Sequence, residues 1–117
     1  MSNGGAASLL TLDVEREGDV TVVRCHGRLV AGVNNILYAK VCQLMPDSKR
    51  IVLDLGDLAY MDSTGLGTLV RLYVSAKAAG CSLELIHLGK RIRELLSMTN
   101  LLSVFTVIGE QGGMIRF

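Results

Sequence analysis

The run "RIVLDL" at residues 50–55 is almost continuously apolar and rich in branched side chains. Such a run suits a strand covered on both faces, which in turn calls for helices packed over a mostly parallel sheet. The rest of the chain supplies the neighbours. Leu10, Leu12 and Val14 alternate with Thr11, Asp13 and Glu15, the period of two of a half-buried strand, and "EGD" at 17–19 makes a hairpin turn into "VTVVRCH" at 20–26. After Gly27, the residues Val33, Ile36, Leu37, Val41, Leu44 and Met45 recur near spacings of three and four, giving a helix with one apolar stripe that Pro46-Asp47 ends. A second helix follows Ser63, places Leu66, Leu69, Val70 and Tyr73 on one face and stops at Gly80. "SLELIHL" at 82–88 is the next strand, "KRIRELLSM" at 90–98 a short helix with Ile92, Leu95 and Leu96 inward, and "SVFTVI" at 103–108 a last strand. The pattern predicts one α/β domain: a mixed, mostly parallel sheet with an N-terminal antiparallel strand and helices packed on it.

A chain of 117 residues, 50% hydrophobic and 20% charged, can bury a core of this kind without metals or disulfides. Residues 9–117 are expected to form the domain and residues 1–8 a flexible N-terminus, while the "GEQGGMIRF" tail is too glycine-rich to predict a helix. Twelve Lys and Arg against eleven Asp and Glu create no global field to draw nucleic acid or an acidic membrane. Cys25, Cys42 and Cys81 are odd in number, widely spaced and set among apolar residues, which suits small core residues of a reduced protein. No segment approaches the roughly 18 apolar residues of a membrane span, and "MSNGGAASLL" lacks the pattern of a signal sequence, so a cytoplasmic protein is expected.

The chemistry concentrates at Asp62-Ser63-Thr64-Gly65-Leu66-Gly67, where a helix begins with two glycines. Each costs about 1 kcal/mol relative to alanine in a helix. Capping alone explains Asp62 or Ser63, whose side-chain oxygens can accept the orphan amides of a first turn. The glycines admit two readings: tight packing of helix on sheet, or access for another molecule. A phosphate needs a hydroxyl near a helix N-terminus with its free amides and positive dipole end, and Ser63 meets those conditions. A nucleotide site is a poor match, because "GLGTLV" puts Val70 where a dinucleotide loop has its third glycine and no glycine-lysine P-loop exists. A nucleophile elbow would need glycine where Met61 stands, and His26 and His87, both within predicted strands, read as core or edge histidines. Cys25 and His26 point to opposite faces of a strand, and Cys42 and Cys81 lack a second ligand at zinc spacing, so no metal site is expected. Lys90, Arg91 and Arg93 form the compact basic cluster, read as a solvated helix face or a contact for an acidic partner.

With Asp54, Asp62, Ser63, Gly65, Leu66 and Gly67 placed on strand, loop and helix, the stretch "IVLDLGDLAYMDSTGLGTLV" resembles the signature of the STAS domain family. That family includes the anti-sigma factor antagonists and the cytoplasmic domains of sulfate transporters. The resemblance runs from about Leu10 to Ile108, with "GRL" after the second strand and "RIRELLSMTNLLSVF" near the end. It implies a non-catalytic domain without cofactors that works by reversible protein binding. Carried onto this chain, it implies phosphorylation of Ser63 by a partner that is both serine kinase and anti-sigma factor, with a phosphatase to reverse it. The implied partner-binding residues are Met61, Asp62, Ser63, Thr64, Gly65, Leu66 and Gly67. Asp62 would cap the helix and present the serine, Gly65 and Gly67 would keep the approach open, and Thr64 would be a secondary hydroxyl. Met61 and Leu66 would lend apolar contacts at the rim or belong to the core. One departure stands out. The loop after Gly27 often carries an acidic residue in the antagonists, and "GRLVAGVNN" offers Arg28 and Val30 instead. The alternative is a non-catalytic STAS scaffold of a transporter or stress-sensing complex.

Overall fold

The computed structural model of the chain describes residues 9–101. Strand β1 (Leu10–Glu17) turns through Gly18-Asp19 into β2 (Val20–Leu29) and pairs with it antiparallel, Glu17 opposite Val20 and Leu10 opposite Gly27. Helix α1 (Asn34–Leu44) runs into a 3-10 turn at Met45–Asp47 and leads to β3 (Arg50–Met61), which lies parallel to β2. Helix α2 (Ser63–Ala78) then connects to β4 (Ser82–Ile86), parallel to β3, and α3 (Lys90–Met98) follows. The strand order is β1-β2-β3-β4, a mixed sheet with one antiparallel pair, as the sequence pattern predicts.

Strand alternation sorts the sheet into two faces. Thr21, Val23 and Cys25 of β2, Ile51, Leu53 and Leu55 of β3, and Leu83 and Leu85 of β4 are all buried in one core with Leu37 and Val41 of α1 and Leu69, Leu72 and Ala76 of α2. The one polar residue in that strand set is satisfied: the Thr21 and Ser48 hydroxyls lie 2.6 Å apart, and Ser48 donates to the Leu44 carbonyl at 2.8 Å. The alternate positions are mixed, with Val52 and Ile86 buried and charged pairs beside them. Arg50 grips Glu84 with two N–H groups at 2.7 and 3.1 Å, and Arg24 donates to Glu15 at 2.6 Å.

Three strand ends and two helix faces differ from the sequence reading, and β2 runs three residues past His26 to Leu29. β3 continues six residues past Leu55 because Leu58 and Met61 remain buried while Gly56, Asp57, Ala59 and Tyr60 face solvent, and two irregularities keep it in step with β2. β4 ends at Ile86, so His87 lies outside the strand in which it was expected; its φ of 58° is incompatible with an extended ladder. In α1 the buried stripe is Val33, Leu37 and Val41, and Ile36 sits on the flank, 39% exposed. In α2, Leu72 and Ala76 complete the inward face while Val70 and Tyr73 are half-buried. The expected strand at 103–108, the C-terminal tail and residues 1–8 lie outside the described residues.

Candidate functional site

The ends of β2 and β3 run side by side, Leu29 in register with Met61, and the chain leaves β3 through Asp62. Asp62 adopts an extended conformation (φ −101°, ψ −173°) as the N-cap of α2. Its carboxylate is shared. Oδ1 accepts the Gly65 amide at 2.9 Å, and Oδ2 accepts the Ala31 amide from the loop between β2 and α1 at 3.1 Å. The Asp62 backbone completes the junction: its N–H donates to the Leu29 carbonyl at 3.3 Å and its own carbonyl accepts the Leu66 amide at 3.0 Å. Amide hydrogen bonds favour the ionised carboxylate, above all the one from Gly65, and hold the Asp62 pKa below the ordinary aspartate value.

Ser63 is therefore the first helical residue of α2, exposed to solvent, on a turn fixed from two sides. Among the described residues its hydroxyl has no hydrogen-bond partner. Thr64 and Gly67 are exposed beside it, Asp62 is half-buried, and Met61, Gly65 and Leu66 turn inward. Met61 and Leu66, 4% and 7% exposed, are core residues. A side chain on Gly65 would overlap the Leu29 carbonyl oxygen and come within 2.7 Å of the Met61 Cγ, so this glycine serves the close approach of helix to strand. Gly67 has nothing within 4 Å of where a Cβ would stand, so the space there is open.

A second layer steadies the turn. Thr68 is buried, donates its hydroxyl to the Thr64 carbonyl at 3.0 Å and accepts from the Asn34 side chain at 3.1 Å, joining α2 to α1. The Asn34–Thr68 bond and the Ala31–Asp62 bond are absent from the sequence reading. Both depend on parallel neighbours meeting at one end of the sheet, and the only sequence signal is the short "VAGVNN" loop entering a helix there.

The remaining titratable groups are engaged elsewhere. His26 lies between two carboxylates, Nε2 2.8 Å from Asp13 and Nδ1 3.0 Å from Asp57, and His87 Nδ1 is 2.9 Å from Asp54. Neither imidazole is hydrogen-bonded to Ser63. Burial pushes the Cys25 thiol up to about 12, which suits a core residue. Among the described residues no group of three or more His, Cys, Asp or Glu is arranged to hold a metal ion, and no helix is long and apolar enough to cross a membrane.

Fold and site together define a class: a small sheet-and-helix domain that presents an unbonded serine hydroxyl at a braced helix start. The sequence profile of the STAS domain matches residues 11–111, and the chain belongs to that family. It is 27% identical over 107 residues to the anti-sigma-B factor antagonist of Bacillus subtilis, covering 92% of this chain and 98% of that protein. Its fold is shared with an anti-sigma factor antagonist from Mycobacterium paratuberculosis at a TM-score of 0.73, 23% identity and 82% coverage of each chain. It is shared too with the anti-sigma factor antagonist SpoIIAA in unphosphorylated form, at a TM-score of 0.69, 19% identity and coverage of 80% of this chain and 84% of that one.

Proposed function

We propose that this chain is an anti-sigma factor antagonist switched by phosphorylation of Ser63. With Ser63 unmodified, the first turn of α2 binds an anti-sigma factor that is also a serine kinase, and that partner gives up its sigma factor. The kinase then transfers the γ-phosphoryl group of ATP to Ser63 Oγ, its own base takes the hydroxyl proton, ADP leaves, and the modified chain dissociates. The chain supplies the acceptor and no catalysis. The observation that carries this reading is the Ser63 hydroxyl, exposed and unbonded among the described residues on a turn that Asp62 holds rigid.

Such a switch needs no change of fold. A phosphoserine brings about −1.5 to −2 charges to a helix N-terminus, where the dipole tolerates them. The cost falls on the interface. Burying that charge against a partner without a matched cation costs several kcal/mol, and the ionised Asp62 next to it adds repulsion. A change of about 3 kcal/mol already alters affinity more than a hundredfold.

The test is mass spectrometry of the chain recovered with its partners from its own cells, with modified residues mapped in the same sample. Phosphate on Ser63, and an ATP-binding kinase recovered with the unmodified form, is the expected result. Transporter or sensory-complex subunits bound to a chain that never carries phosphate would move the assignment to a scaffold. In reconstituted reactions Ser63→Ala should still bind while gaining no phosphate, and continued kinase-dependent mass gain at another residue would displace Ser63 from the role.

A further inference from the structure

A groove of about 270 Å³ opens between the end of β3 and α3, lined by Tyr60, Met61, Arg91, Glu94, Leu95 and Met98. Met61 is one of its lining residues and immediately precedes Asp62-Ser63 in the chain. Its rim is uncovered: Met98 is 80% exposed and Tyr60 is 40% exposed. Large apolar side chains left this open are characteristic of interaction surfaces, and methionine in particular adapts to varied partners.

The surrounding charge selects the occupant. The Arg91 guanidinium lies over the Tyr60 ring, 6.0 Å from its centroid, and Arg28 on β2 is Tyr60's register partner. Lys90 and Arg93 are exposed on the same helix as Arg91, and Glu94 is the sole acidic residue of that helix. Arg28, Lys90 and Arg93 make no ion pair among the described residues. Arg91 and Glu94 line the groove and Arg28 lies across the ladder from Tyr60, so two arginines stand there against one carboxylate, while Lys90 and Arg93 are not among the lining residues.

We infer that this groove docks an acidic segment of the partner protein, with an apolar side chain seated between Met98 and Tyr60 and carboxylates facing Arg28 and Arg91. This extends the proposed interface beyond Ser63 and rests on that reading. It also gives Arg28 a role: its place beside Tyr60 on the β2–β3 ladder puts a cation where an acidic partner segment would meet it.

Two measurements test it on the full chain. A photo-crosslinking p-benzoylphenylalanine at position 98, activated in the complex with the ATP-binding partner recovered above, should capture an Asp- and Glu-rich peptide of that partner. Capture of a second copy of this chain, of its own residues, or of a basic peptide would overturn the inference. Titration calorimetry with the same partner should show Arg91→Glu and Arg28→Glu each weakening binding about tenfold, less at high salt, with thermal unfolding unchanged. Reversing one partner carboxylate to lysine should restore affinity to Arg91→Glu. If both reversals stay within twofold of wild type while Ser63→Asp abolishes binding, the groove is not the docking site and the Ser63 reading stands. If Ser63→Asp and both reversals all bind like wild type, both readings fall.

Discussion

Gly65 and Gly67 stand two positions apart in one turn and lack side chains for different reasons. At Gly65 a Cβ would strike the backbone of Leu29, which cannot rotate away, so Gly65→Ala should destabilise by about 1–3 kcal/mol despite alanine's better helix propensity. At Gly67 the space is open, and Gly67→Ala should stabilise by about 0.5–1 kcal/mol in urea denaturation. A stabilised Gly67→Ala protein that binds its partner poorly would locate the need for that glycine in the complex. The two were indistinguishable in the sequence, because the distance from α2 to the Leu29 carbonyl is a tertiary quantity. Asp62 makes a pH prediction. Its folded pKa lies below the ordinary value, so its contribution is fully present above that ordinary value and is lost as the pH falls through the depressed one. Asp62→Asn should therefore lower stability at pH 7, and the gap from wild type should close in acid. An equal gap at pH 7 and pH 2 would separate the cap's charge from stability.

At the scale of elements, the braced site depends on how α1 and α2 meet. Thr68 sits at 1% exposure and links Thr64 to Asn34, so Thr68→Val keeps the volume but leaves the Asn34 side chain without its acceptor. The expected loss is about 1 kcal/mol, accompanied by faster hydrogen exchange in the first turns of both helices. Unchanged exchange at Asn34 and Thr64 would show that the two helices are held by their apolar contacts alone. The existence and type of every described strand and α-helix were legible from hydrophobic period, although the inward face of α2 was read with Val70 and Tyr73 in place of Leu72 and Ala76, and the 3-10 turn at Met45–Asp47 was not read. Their ends were less so. β3 reaches Met61 through a stretch whose exposed Gly56 and Asp57 read locally as a turn, and only pairing with β2 keeps it extended. Asp62 and Ser63 were legible because capping chemistry is local; the Ala31 tether was not, because 31 positions separate its ends.

Across the whole molecule, the core and the charged pairs on the sheet make separable demands. Arg50 accounts for both hydrogen bonds to Glu84, whose side chain is 2% exposed, so Arg50→Met strands a buried carboxylate and should cost on the order of 3 kcal/mol. A loss below about 1 kcal/mol would mean that water reaches Glu84. Cys25 is fully buried with its thiol pushed up to about 12, whereas Cys42 is half-buried. At pH 8 a thiol reagent should modify Cys42 in the native protein and Cys25 only as fast as the domain opens.

The Gly18-Asp19 turn joins β1 to β2 at the end of the sheet away from Ser63. The ten residues of β2 separate it from the loop that Asp62 holds, and at about 3.3 Å per residue that is roughly 30 Å. The domain thus has a natural handle. A biotin-acceptor peptide inserted between Gly18 and Asp19 would hold every molecule on a sensor surface with its Ser63 end outward, and the association rate measured there should match that in free solution. The same polarity allows a larger module to be spliced in at this turn without shading the end that meets other proteins.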